Sequence, residues 1–155
     1  MNFSKITVLV TALFLFNVNA STLVFPESGF SIESLDAKPS AIGSQPLQML
    51  LPAQNGFSAN VNVQVQPYKG TITEYKQLSE AQFKQIGITL ISKKEMGNTL
   101  IIEYSGTMQG QELHWYAKAV KKGDHVYLIT ATDNKNNWEQ HKEQLINNVN
   151  SFKLM

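Results

Sequence analysis

Phe57-Ser-Ala-Asn-Val-Asn-Val-Gln-Val-Gln66 alternates without a break: Phe57, Ala59, Val61, Val63 and Val65 are apolar, and Ser58, Asn60, Asn62, Gln64 and Gln66 are polar. Side chains of a strand point to opposite faces with period two, so the stretch predicts a strand with one buried and one polar face. On a helix the same five apolar residues would scatter around the cylinder. The strand therefore needs partners beside it and a helix to cover it, and the neighbouring sequence offers both.

On the amino-terminal side, Ser21–Phe25 is a β-prone run stopped by Pro26, and Gly29–Leu35 carries Phe30 and Ile32 on one face. Both are expected to be strands that could pair with 57–66. Asp36–Pro46 reads as a loop, rich in Pro, Ser and Gly. Leu47, Met49 and Leu51 predict a third strand that Pro52 closes. Ala53-Gln54-Asn55-Gly56 has the chemistry of a tight turn, so this strand is expected to run antiparallel to 57–66.

On the carboxyl-terminal side, Thr71-Ile72-Thr73-Glu74 offers a capping box, with Gly87 placed to end the helix. Ile72, Tyr75, Leu78, Phe83 and Ile86 form its apolar stripe, and Ser79 leaves open a restart of the helix with its own cap. From Ile88 the pattern returns to strands. Turns at Met96–Asn98, Gly106–Gly110 and Lys122–His125 divide the chain into a four-strand meander that ends near Thr132. Apolar residues on both faces of its last two strands imply that both faces of the sheet are covered. A final helix begins at a cap on Asn136, with Trp138, His141, Leu145, Val149 and Phe152 recurring at steps of three or four. The expected fold class is α+β, an antiparallel β-sheet flanked by helices.

Residues 1–20 stand apart. Lys5 and the amino terminus give a positive start, Ile6–Phe16 is apolar, and Val18-Asn19-Ala20 suits signal peptidase. The apolar run is shorter than the roughly 20 residues that span a bilayer. The segment is expected to be a cleaved secretory signal, leaving 21–155 as a single domain, periplasmic or secreted.

Composition narrows the chemistry. All 12 acidic residues lie beyond residue 20 whereas Lys5 does not, so residues 21–155 are formally neutral. Arginine is absent, which removes bidentate clamping of phosphate and arginine readout of guanine. No nucleic-acid partner is expected. Cysteine is also absent, so there is neither a disulfide nor a lipidation site to anchor the chain after signal cleavage.

The segments Phe57-Ser-Ala-Asn-Val-Asn-Val63, Thr73-Glu-Tyr75, Tyr127-Leu-Ile-Thr-Ala-Thr132, Trp138 and Ser151-Phe152-Lys153 together resemble the PsbP-like family, nearest to bacterial DcrB-like periplasmic proteins. The resemblance covers nearly all of 21–155 and implies an α-β-α sandwich with a non-catalytic accessory or binding role. DcrB-like proteins are typically lipoproteins, and this chain lacks the cysteine they use.

The site candidates are few. If Gly123-Asp124 is a two-residue loop, His114 faces Asp133 across the ladder, and such a pair can orient an imidazole. An alternative function follows from it, a small secreted hydrolase or metal-dependent enzyme centred on His114 and Asp133. No HExxH, paired-His or Cys pattern accompanies the pair, so neither a metal nor any cofactor is expected. No Gly-x-Ser-x-Gly elbow and no phosphate loop is present. Asn60, Asn62 and Gln64 form a polar ladder able to hydrogen-bond a glycan or an extended peptide, and Tyr116 belongs to an aromatic set able to line a pocket. The leading expectation is a non-enzymatic envelope accessory domain that binds another envelope or secreted protein.

Overall fold

In the computed structural model, residues 21–35, 38 and 41–155 are described; the segment read as a secretory signal lies outside them. By its contacts the chain divides into two units, Met1–Asp36 and Ala37–Met155.

The first unit contains a hairpin. Strands β1 (Thr22–Phe25) and β2 (Phe30–Glu33) pair antiparallel, and the stacked rings of Phe25 and Phe30, 4.8 Å apart, close its end. A short 3₁₀ turn at Pro26–Ser28 reverses the chain. The two strands pair with each other, not with the strand at 57–66 as expected from their sequence.

The second unit is built on a six-stranded antiparallel sheet. In chain order its elements are β3 (Ser44–Leu50), β4 (Asn60–Pro67), α1 (Ile72–Gln85), β5 (Thr89–Met96), β6 (Thr99–Met108), β7 (Gln111–Lys122), β8 (His125–Asn134) and α2 (Trp138–Ser151). The spatial order is β3-β4-β8-β7-β6-β5, so the meander β5–β8 folds back and lays β8 against β4. Asn55 and Gly56, both at positive φ, turn β3 toward β4 as the Asn-Gly pair requires. β3 starts earlier than its apolar pattern suggests. A register shift between Ser44 and Leu47 brackets Pro46, which an edge strand with a bulge accommodates because proline has no amide to give the ladder.

The alternation in β4 does what its pattern demands. Val61 and Val65 are buried and Val63 is half-buried. Val61 packs with Ala59, Ile129 and Ala131 under Trp138, Leu145 and Val149 of α2. The opposite face of the sheet carries Leu100, Ile102, Ala119 and Val126 under Ile72 and Tyr75 of α1, with a further group of Ile88, Leu113 and Trp115. The sheet is thus cored on both sides, one helix on each, as an α+β fold of three layers. The helices are offset: α1 lies over β5, β6 and β7, and α2 over β4, β8 and β7.

Local signals fix the helices. Thr71 accepts from the Glu74 amide while the Glu74 carboxylate accepts from the Thr71 amide at 2.7 Å, a complete capping box. The helix does not restart at Ser79, whose Oγ donates to the Tyr75 carbonyl within the same helix. Its expected stripe is only partly inward, since Leu78 and Ile86 are 47% and 61% exposed. For α2 the cap position is Asn137 rather than Asn136, and it makes no side-chain cap bond. Its carboxyl end is served from the sheet: Lys118 Nζ donates to the carbonyls of Asn150 and Phe152, placing a cation where the helix dipole favours one.

Candidate functional site

The β7–β8 hairpin has the register that a Gly123-Asp124 loop dictates, and His114 is the cross-strand partner of Asp133. The hydrogen bonds, however, go elsewhere. Asp133 Oδ2 lies 2.8 Å from His141 Nδ1 on α2, and its Oδ1 accepts from the Asn134 amide at 2.7 Å. His114 Nε2 lies 2.8 Å from Glu103 Oε1 on β6, and its ring stacks on Trp138 at 4.0 Å and 17°. Two separate imidazole–carboxylate pairs therefore flank the first turn of α2, in place of one His114–Asp133 pair. Their geometry ties α2 to the sheet: Trp138 is clamped from one side by His114, and His141 is drawn down onto Asp133. Among the described residues, no three His, Asp or Glu side chains are grouped as a metal ion would require.

The polar ladder lies on the α1 side of the sheet but mostly beyond that helix. Its amides are engaged along a chain. Tyr75 donates to Gln66 Oε1 at 2.8 Å, Gln66 Nε2 to Gln64 Oε1 at 3.0 Å, and Gln64 Nε2 to Gln45 Oε1 at 3.5 Å. Asn60 Nδ2 turns back to the Ser58 carbonyl. Asn62 differs: its Oδ1 is buried with no partner among the described residues. Tyr116 lies on the α2 side, with its hydroxyl 3.3 Å from Asn150 Oδ1, and helps to fix the end of that helix. The structure thus does not bring Tyr116 together with Asn60, Asn62 and Gln64; they occupy opposite faces.

A cavity of about 400 Å³ between α1 and the sheet escaped the sequence reading. Ala117 and Ala119 of β7 form its floor, and Tyr75, Phe83, Tyr104 and Leu128 stand around it. The small residues recur at alternate positions of β7 on the face that carries α1. Tyr104 is held between Phe83 and Trp115, with ring centroids 4.4 and 5.1 Å away. Burial pushes the Tyr75 phenol up to about 12, with the neighbouring Tyr68 adding to it. Burial raises Tyr104 as well, helped by Tyr75. Both therefore stay protonated at neutral pH, as hydrogen-bond donors.

No protein-family model matches the chain, and no curated protein matches it significantly. Among solved structures it is similar to PA94, a protein of unknown function from Pseudomonas aeruginosa described as a candidate regulator. The TM-score is 0.64 at 13% identity, over 88% of this chain and 97% of that one. It also aligns with CyanoP, the cyanobacterial PsbP of Synechocystis sp. PCC 6803, with a TM-score of 0.48 at 12% identity over 94% and 99% of the two chains. The likeness to PA94 is one of fold. The chain is an α+β protein with an antiparallel sheet between two helices, and among the described residues no helix is long and apolar enough to cross a membrane.

Proposed function

We propose that this protein is an exported, non-enzymatic accessory domain of the cell envelope, PsbP-like in kind, that works by binding another protein. The observation that supports the reading best is the contrast between the two edges of the sheet. β5, at one edge, carries Lys93, Lys94 and Glu95 and is tethered to α1 by the ion pairs Lys93–Glu80 and Lys76–Glu95. Charges of this kind keep a foreign strand from adding to an edge. β3, at the other edge, is Ser-Gln-Pro-Leu-Gln-Met-Leu, with no charge at all and with Leu50 61% exposed.

The Leu51 amide donates inward to the Ala59 carbonyl, so by strand alternation the amides of Gln48 and Leu50 point away from β4. An extended segment of a partner protein can pair with them by strand addition. The hydrolase reading is centred on a His114–Asp133 pair, and these two side chains bond instead to Glu103 and His141.

The test is affinity capture from the native envelope with the wild-type protein and with Gln48→Pro, which removes an outward amide without taking a bond from the ladder. A stoichiometric protein partner, lost with Gln48→Pro while the circular dichroism is unchanged, is the expected result. A partner retained equally by both proteins would reject the β3 edge. Hydrolytic activity abolished by His114→Ala with the fold intact would reject the non-enzymatic role.

A further inference from the structure

We propose that the cavity between α1 and the sheet is a binding site for an uncharged, ring-bearing small molecule that presents a hydrogen-bond acceptor to Tyr104. The cavity lies within the roughly 300–1,000 Å³ range of small-molecule sites. The cavity opens to solvent beside Leu78, which is 47% exposed, so a small molecule can enter it without the fold opening. Its floor is made of alanines that are 3% and 1% exposed, where any larger residue would close it.

The lining fixes the class of ligand. None of the residues around the cavity is charged, so an anion or cation entering it would lose its hydration with no opposite charge to replace it. Tyr75, Phe83 and Tyr104 offer ring faces and edges suited to a flat, apolar ring system. The polar groups are not equivalent: Gln82 is exposed, and Tyr68 packs edge-on against Tyr75. The Tyr75 hydroxyl is spent on Gln66, and Gln66 on Gln64. The Ser79 hydroxyl is spent on the Tyr75 carbonyl. The Tyr104 hydroxyl has no acceptor among the described residues, although its ring is fixed on both sides by Phe83 and Trp115. A half-buried O–H donor held rigidly in an uncharged cavity selects a neutral acceptor such as a ketone, ether or hydroxyl oxygen.

The experiment uses 6-propionyl-2-dimethylaminonaphthalene, a neutral naphthalene ketone whose emission reports both polarity and hydrogen bonding to its carbonyl. Titrated into the purified protein, it should bind saturably at one site per chain with blue-shifted emission. 1-Anilinonaphthalene-8-sulfonate, which adds a negative charge to a similar ring system, should bind at least about tenfold more weakly. Tyr104→Phe keeps the ring and removes the hydroxyl, and should weaken binding of the ketone about three- to tenfold. Ala117→Leu fills the floor and should abolish it. Absence of saturable binding, equal binding of the sulfonate, or unchanged affinity in Tyr104→Phe would each overturn the proposal. The phenylalanine variant decides the matter even where Ala117→Leu fails to fold.

Discussion

Asp133 Oδ2 and His141 Nδ1 are 2.8 Å apart, with the Asp133 side chain 1% exposed and that of His141 11%. The contact joins the last strand to the last helix across the region where sequence places His114 opposite Asp133. A buried carboxylate that loses its partner keeps its desolvation cost, so His141→Ala is expected to destabilise the protein by about 3 kcal/mol. The double variant His141→Ala, Asp133→Asn should cost less than the sum of the single changes, because it removes the stranded charge as well. Urea unfolding of the four proteins measures this, and strict additivity would mean that the pair is not coupled.

The capping box makes a second expectation. Thr71→Ala removes the acceptor for the Glu74 amide and should cost about 1 kcal/mol. The Glu74 carboxyl is held below its usual range, chiefly by the Thr71 amide and then by the Thr71 hydroxyl. A depressed carboxyl stabilises the fold above its unfolded pKa, and that contribution is lost as pH falls through the lower folded value. The stability difference between wild type and Glu74→Gln should therefore be largest near neutrality and vanish in acid. Chemical denaturation at a series of pH values reads it out.

A third expectation separates the faces of the sheet. Val61→Asp sets a carboxylate at a position 4% exposed and should cost several kcal/mol, a large part of the net stability of a typical domain. Leu50→Asp, on the open edge and 61% exposed, should stay within about 0.5 kcal/mol. Thermal midpoints of the two variants decide it, and equal losses would mean that the faces are assigned wrongly.

The alternation of 57–66, the Asn55-Gly56 turn, the capping box and the meander were legible because each is a local pattern with one physical reading. The register of His114 against Asp133 followed from loop length alone. The bond from Asp133 to His141 was not legible, because it depends on where α2 lands and how it is rotated, which no local pattern specifies. Glu103 was missed for another reason: it lies diagonal to His114 on the neighbouring strand, and His114 stands directly opposite Ser105. The pairing of β1 with β2 was missed because both runs are equally able to pair with any free strand. Pro46 hid the start of β3, since a proline reads as a strand end unless a bulge absorbs it. The cavity was invisible because Ala117 and Ala119 look like core until a helix is seen to stand off from them.

The tyrosines give a fourth expectation. Burial, and then Tyr68, push the Tyr75 phenol up to about 12, above its value in the unfolded chain. A raised folded-state pKa contributes stability that is fully present below the unfolded value near 10 and is lost as pH rises through about 12. Ultraviolet titration of the five tyrosines should therefore show a late fraction, and that fraction should ionise together with loss of near-ultraviolet circular dichroism. Complete ionisation of all five with the fold intact would contradict the burial of Tyr75 and Tyr104.

The most direct test of binding through β3 is amide hydrogen exchange with residue resolution, in the presence and absence of the captured partner. The amides of Gln48 and Leu50, which face away from β4, should exchange readily in the free protein and become protected in the complex. Those of Leu47, Met49 and Leu51, already facing β4, should change little. Protection confined to β5 or to the His114 region, with Gln48 and Leu50 unaltered, would contradict recognition through the open edge.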